Sequence, residues 1–366
     1  MADVCETPIQ APKPKVTRKT AVFPIVGLIA FFLYIYLFQV DIPKIIATAQ
    51  TADPIPYALA IALSIVEVFF YSISWRVLVN FLSIKLSVMK AYLFVWYGVF
   101  LDIIVPAESV SGELARVYLI QREQGISACG PAVASLVTHR LLGMAMNVAV
   151  LFVGMGLLFT EGQTSGLILN LVLFLAAAIT AILLLLIVFS FKEKWSLKVI
   201  DSLVRAANFL TLGKWHGLAK IKEDACRMTT GFHDSMKEFR HNPKPLASSI
   251  LGLSVTWILS LSVSYLVFMS LRTPISWSII LITSAIVLAV KSIPIGIPFE
   301  VGLPEITMTT LYTSLGIDAG VAATATILNR IITLWLRFFI GLSAQQWLDL
   351  KPVLTVCTDD VKTGKT

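Results

Sequence analysis

Pro106-Ala-Glu108-Ser-Val-Ser-Gly-Glu113 and Pro298-Phe-Glu300-Val-Gly-Leu-Pro-Glu305 both read Pro-x-Glu-x-x-x-x-Glu, and their shared residues are all offset by 192 positions (298 − 106, 300 − 108, 305 − 113). Both segments lie among long apolar runs, where carboxylates are expensive. Carboxylates in such a place can hold a proton, a cation or an amine. Peptide N–H groups freed where a proline breaks a helix can bind an anionic head group. Basic residues accompany them. Arg116 follows Glu113 by three, so the two share a helical face and can pair. Arg140 and Arg330 lie inside later apolar runs, where an arginine faces a partner or a polar cavity. They can pair with the carboxylates or grip a phosphate through two parallel N–H donors. Lys291 is a third basic residue at depth, with a lysine snorkelling to the interface as its plainer alternative.

The candidate pathway is therefore Glu108, Glu113, Arg116, Arg140, Lys291, Glu300, Glu305 and Arg330. Each has a structural alternative. Glu108 and Glu113 fit a solvated loop, the arginines fit internal ion pairs, and Glu305, just after Pro304, fits the first turn of a helix. Glu67 and Arg76 are either a polar packing pair or further lining of the same cavity. Trp96, Tyr97, Trp257, Trp277, Trp335 and Trp347 fit the aromatic belts of a membrane protein.

The repetition extends outward. Gly125-Ile126 matches Gly316-Ile317, Arg140 matches Arg330, and Phe81-Leu-Ser83-Ile-Lys85 matches Phe268-Met-Ser270-Leu-Arg272. These residues are carried by apolar runs over about 21–38, 56–81, 90–105, 129–159, 167–190, 246–271, 276–297 and 320–345. The chain has 366 residues, 57% of them hydrophobic and only 14% charged, with mean hydropathy +0.83. That excludes an ordinary soluble domain, where about a quarter of residues are charged. The expected fold is an all-α polytopic membrane protein of about six crossings. Two re-entrant or broken helical hairpins, near 90–128 and 276–318, complete it, because Pro106, Pro294 and Pro298 interrupt their runs.

Residues 1–20 form an expected disordered cytoplasmic tail, 21–345 a single transmembrane domain, and 346–366 a second cytoplasmic tail. Within the domain, residues 56–159 and 246–345 form two repeats, separated by an insert over 191–245. The insert carries eleven Lys/Arg against six Asp/Glu, which assigns it to the cytoplasm. Leu197, Ile200, Leu203, Val204 and Ala207 give it an amphipathic helical stripe, suited to the membrane surface or to a helical pair packed on itself. If one hairpin dips in from each side, both termini and the insert are cytoplasmic. The basic N-terminus and Arg337/Lys351 agree with this, and 292–329 holds no Lys or Arg, as an outer segment should. The repeats are then inverted. The rival topology makes both segments full crossings and the repeats parallel.

The sequence has no Walker loop, no Gly-x-Gly-x-x-Gly after a strand and no Gly-x-Ser-x-Gly elbow, so ATP-driven transport by this chain alone is not expected. Cys5, Cys129, Cys226 and Cys357 are scattered, with no metal-ligand or disulfide spacing. No catalytic residue, metal or cofactor is predicted. The expected partner is a membrane lipid, not nucleic acid, with a homo-oligomer or a partner membrane enzyme as further company.

Pro106…Gly112-Glu113-Leu-Ala-Arg116 resembles the proline and Gly-Glu-x-x-Arg signature of the lysylphosphatidylglycerol synthetase transmembrane (flippase-like) domain family. Gly296…Glu305 resembles that family's second, glycine-rich turn ending in Glu. Arg140 falls where the family tends to have Glu-Arg, with His139 here in place of the Glu, and Arg330 falls where a later helix has Arg. Ile297-Pro298-Phe299-Glu300-Val301-Gly302 lacks the double glycine. The resemblance covers about residues 20–345. It implies a multi-pass cell-membrane flippase for an anionic phospholipid or a polyprenyl-phosphate-linked lipid. As a stand-alone member without the soluble aminoacyltransferase domain, the chain is not expected to make lysyl lipid. A membrane-embedded lipid-modifying transferase, or an accessory subunit of one, with Glu113 or Glu305 as general base, is the alternative.

Overall fold

The computed structural model describes residues 42–105, 110–161, 166–191, 202, 229, 232–291 and 302–348. Among the described residues every regular element is helical. In chain order they are α1 (Ile42–Gln50), α2 (Pro54–Phe81), α3 (Val88–Ile104), α4 (Val110–Gln124), α5 (Cys129–Thr160), α6 (Gly166–Phe191), α7 (232–241), α8 (Lys244–Ser270), α9 (Trp277–Lys291), α10 (Leu303–Ser314) and α11 (Ala319–Leu348). Four of them, α2, α5, α8 and α11, are long and apolar enough to cross a membrane. The short α1 and the docked α7 lie outside the apolar runs; α1 is amphipathic, and Phe232, Met236 and Phe239 give α7 a single apolar face. The run 21–38, the stripe from Leu197 to Ala207, Pro106 and the Pro294–Pro298 break all lie outside the described residues.

Local chemistry sets the boundaries. Asp53 accepts the N–H of Ile55 at the start of α2, followed by Pro54 at the first helical position. Ser87 caps α3 by accepting from Lys90 N. Asp318 caps α11 by accepting from Gly320 N and Val321 N.

The same succession of elements occurs twice: α2, α3, α4, α5 and then α8, α9, α10, α11. The connections match as well. After α2 the chain turns at Ser83 (φ 67°), with Ile84 N donating to Val79 O; after α8 it turns at Arg272 (φ 54°), with Thr273 N donating to Phe268 O. The turn after α4 uses Gly125 (φ 88°) and the turn after α10 uses Gly316 (φ 95°). This geometry corrects one sequence pairing, because Ser83 corresponds to Arg272 and not to Ser270.

α2 and α8 form the most extensive helix pair. They run antiparallel, with Ser74 beside Gly252 at one end and Asp53 N donating to Ser270 O at the other. In lipid, association relies on close packing of small residues and not on burial from water. A Cβ on Gly252 would lie 2.8 Å from Ser74 Cβ, so the glycine sets this close approach.

The two ends of the pair differ. At the α7 end, Phe239 and Met236 pack on Leu78, Leu82 and Ala134. The α3–α4 hairpin starts there, with Lys90 Nζ 2.8 Å from Glu123 Oε2 at its base. At the opposite, α1 end, Ser276 and Ser278 at the start of α9 donate to Glu161 just past α5. Chain α10 returns toward the same end, where α11 begins. α3 has 17 residues and α9 has 15, about 26 and 22 Å at helical rise.

The halves interlock. α5 packs on α9, with Gly154 against Leu281 and Ile282. The later part of α11 packs on α3, with Gly341 against Trp96 O and Phe100, and Leu334 against Ile103. Trp96 is therefore buried, which corrects its assignment to an interface belt, whereas Trp277, Trp335 and Trp347 are exposed.

Candidate functional site

Glu113 stands in the first turn of α4, and its Oε1 accepts from Arg140 Nη1 of α5 at 3.3 Å. Glu305 stands in the first turn of α10, and its Oε1 accepts from Arg330 Nε of α11 at 2.5 Å. The structure thus brings together four of the eight predicted residues as two like pairs, one in each half. Each return helix offers a carboxylate from its first turn to an arginine of the long helix that follows. Glu305 fills its capping role too, because Oε2 accepts from Gly302 N at 2.7 Å, where the chain has φ 101°. Arg330 is followed by a π-helical stretch, Ile331–Leu336, of a kind often found at functional positions.

The other expectations are modified. Arg116 pairs with no carboxylate among the described residues. Its side chain turns back, with Nε donating to Gly112 O at 3.3 Å and the guanidinium 5.1 Å from the Trp75 ring centroid. Glu113 reaches across to α5 instead of along its own helix, so the expected Glu113–Arg116 pair does not form. Lys291 ends α9, half-buried and within electrostatic reach of Glu67. Glu108 and Glu300 lie outside the described residues.

Two features escaped the sequence reading. Asp102, near the end of α3, accepts from Gly112 N at 2.7 Å and from Ser111 Oγ at 2.8 Å, and so caps α4 from the facing helix. The peptide groups expected to be free for an anion at the two helix starts are, at Gly112 and Gly302, already taken by protein carboxylates. The available signal was an aspartate closing an apolar run ten residues ahead of a glycine. Gly112 is required there, since a Cβ would lie 2.5 Å from Gly98 O and would strike the Asp102 carboxylate.

The second feature is Glu67. It pairs with Arg337, 2.6 Å from Nη2, and that nitrogen also donates to Ser64. Arg76 instead donates to Leu86 O, so the Glu67–Arg76 pair is corrected. Arg337 is likewise internal, mid-way along α11, and does not mark an end of that helix. A pairing across 270 positions leaves no local mark in the sequence.

Residues 22–341 match the family described as the lysylphosphatidylglycerol synthase TM region. The chain belongs to that family. A UPF0104 membrane protein of Pyrococcus horikoshii is 26% identical over 310 residues, covering 84% of this chain and 91% of its own length. UPF0104 membrane proteins of Methanothermobacter thermautotrophicus and Methanocaldococcus jannaschii are 22% and 24% identical, over 95% and 94% of their lengths. The family match, over residues 22–341, takes in both halves and both glutamate–arginine pairs.

The two pairs differ in one respect. Glu113 and Arg140 keep 21% and 35% of their side-chain surface, whereas Glu305 and Arg330 keep 5% and 7%. His139, next to Arg140 in sequence, is buried, with the Ser74 hydroxyl 2.6 Å from its Nε2 and the Tyr71 ring set edge-on to its imidazole. The more exposed first pair therefore leaves its carboxylate and guanidinium open to a further charged group, which the closed second pair does not. Among the described residues no cluster of metal-ligating side chains occurs.

Proposed function

We propose that this protein moves an anionic phospholipid, or a polyprenyl-phosphate-linked lipid, across the bilayer between two inverted halves. The observation that carries this reading is the pair of like ion pairs at equal depth. Arg140 is eleven residues into α5 and Arg330 eleven residues into α11 (140 − 129 and 330 − 319), about 16 Å at helical rise. If each helix enters the hydrocarbon core, about 30 Å thick, near its first residue, both pairs lie close to the midplane. Transporters built from repeats bind substrate at that level, beside broken helices. The antiparallel α2–α8 pair, and hairpins that start from opposite ends, support the inversion. In this reading the hairpins re-enter, α2, α5, α6, α8, α11 and the 21–38 run cross, and both termini lie in the cytoplasm of a cell-membrane protein.

The test is reconstitution in liposomes with head-group-labelled lipids. Translocation of a chemically unchanged lipid, lost in R140A and R330A variants that still fold, is the expected result. A chemically modified lipid would instead establish the transferase reading. Neither translocation nor modification, across anionic phospholipids and polyprenyl phosphates, would remove both.

A further inference from the structure

Arg116 is only 5% exposed, and its Nη1 is buried with no hydrogen-bond acceptor among the described residues. Arginine stays charged at any depth, and a buried guanidinium without a counter-charge is destabilising. The carboxylates around it are directed elsewhere: Asp102 Oδ1 to Gly112 N and Ser111 Oγ, and Glu113 Oε1 to Arg140. Its Nε contact is a carbonyl of its own helix, and its Trp75 contact is an aromatic face. Neither neutralises it. Arg116 also lies within electrostatic reach of His139, the neighbour of Arg140 in sequence. Glu113 stands one helical turn from Arg116 and pairs with Arg140, so its single carboxylate can compensate only one of the two guanidinium groups.

The second half lacks this arrangement. Three residues past Glu305, where Arg116 stands relative to Glu113, lies Met308, buried in the apolar core. Among the described residues of the second half no arginine stands at the place of Arg116, and the ion pair there is the closed one.

We propose that Arg116 and Arg140 bind a phosphate group, supplied by a lipid head group or as free phosphate, and that the second half has no equivalent site. This rests on the translocase reading only for the identity of the cargo. Both guanidinium groups bring paired N–H donors suited to phosphate oxygens. Trp75 holds Arg116 from behind, and the hairpin start at Ser111 and Gly112 supplies the adjacent wall.

The test uses the purified full chain in detergent and follows thermal unfolding with dihexanoyl phosphatidic acid, inorganic phosphate or dihexanoylglycerol. The phosphate-bearing amphiphile should raise Tm by several degrees, and dihexanoylglycerol should leave it unchanged. A shift with inorganic phosphate alone keeps the site and assigns it to free phosphate. Arg116→Met copies the residue of the second half. Without ligand it should melt higher than the parent, because an uncompensated charge is removed, and its Tm should no longer respond to phosphate. Arg116→Lys should respond at least tenfold more weakly. If Arg116→Met melts lower without ligand, the guanidinium has a structural counter-charge and the proposal fails. It fails equally if that variant keeps the full ligand response. Translocation that survives in Arg116→Met overturns this site and leaves the translocase reading intact. Arg116-dependent binding in a protein that moves no lipid does the reverse.

Discussion

Arg330 Nε and Glu305 Oε1 stand 2.5 Å apart with both side chains more than nine-tenths buried, whereas their counterparts Arg140 and Glu113 stand 3.3 Å apart with a fifth to a third of each side chain exposed. Breaking a buried pair leaves an uncompensated charge and costs about 3–5 kcal/mol. A solvent-accessible pair contributes about 1 kcal/mol or less. Glu305→Gln should therefore lower thermal stability in detergent far more than Glu113→Gln, although glutamine keeps an oxygen for Gly302 N. Equal shifts from the two substitutions would contradict the difference in burial.

Gly112 permits the contact between α3 and α4. Gly112→Ala brings a methyl against Gly98 O and Asp102, an overpacking that costs about 1–3 kcal/mol. Gly98→Ala is milder, since its added Cβ lies 3.0 Å from Gly112 O. Unfolding of the two variants in parallel should rank Gly112→Ala below Gly98→Ala, and the opposite order would show that the hairpin packs differently.

The matched turns predict opposite responses to glycine and alanine. Ser83 and Arg272 hold φ of 67° and 54°, so Ser83→Gly and Arg272→Gly should each stabilise by about 0.5–1 kcal/mol. Gly125 and Gly316 meet nothing within 4 Å of an added Cβ but hold φ of 88° and 95°, so alanine there should cost about 1–2 kcal/mol through backbone strain alone. Melting curves for the four single variants would check this, and a stabilising Gly125→Ala would refute it.

Thr51 lies at the α1 end and Asn242 at the α7 end, both exposed. In a cysteine-free background, Thr51→Cys should label from outside intact cells with an impermeant thiol reagent, and Asn242→Cys should label only after permeabilisation. The reverse pattern would invert the proposed orientation.

What the sequence made legible follows from the physics of each feature. The long helices were readable because spanning apolar runs are continuous, and the observed α2, α5, α8 and α11 follow those runs closely. The pairing of Arg140 and Arg330 with hairpin carboxylates was readable because duplication singled out the same residue types twice. Arg337 was misread as a terminal charge because a run of hydropathy shows depth poorly, and its partner Glu67 is distant in sequence. The Asp102 cap and the turning back of Arg116 depend on how closely α3 approaches α4, a distance that no one-dimensional pattern encodes.

The crossed packing of α5 on α9 and of α11 on α3 has a consequence for biosynthesis. The α3–α4 hairpin leaves the ribosome long before the α11 segment that covers its flank has been made. Until then α3 must be sheltered by the insertion machinery or by surrounding lipid, with the polar groups of Asp102, Glu113 and Arg116 still in want of their final setting. The halves cannot mature one after the other, as successive soluble domains do. Nascent chains halted before α11 should be quality-control substrates, and the hairpin of the first half becomes protected only when the last helix is in place.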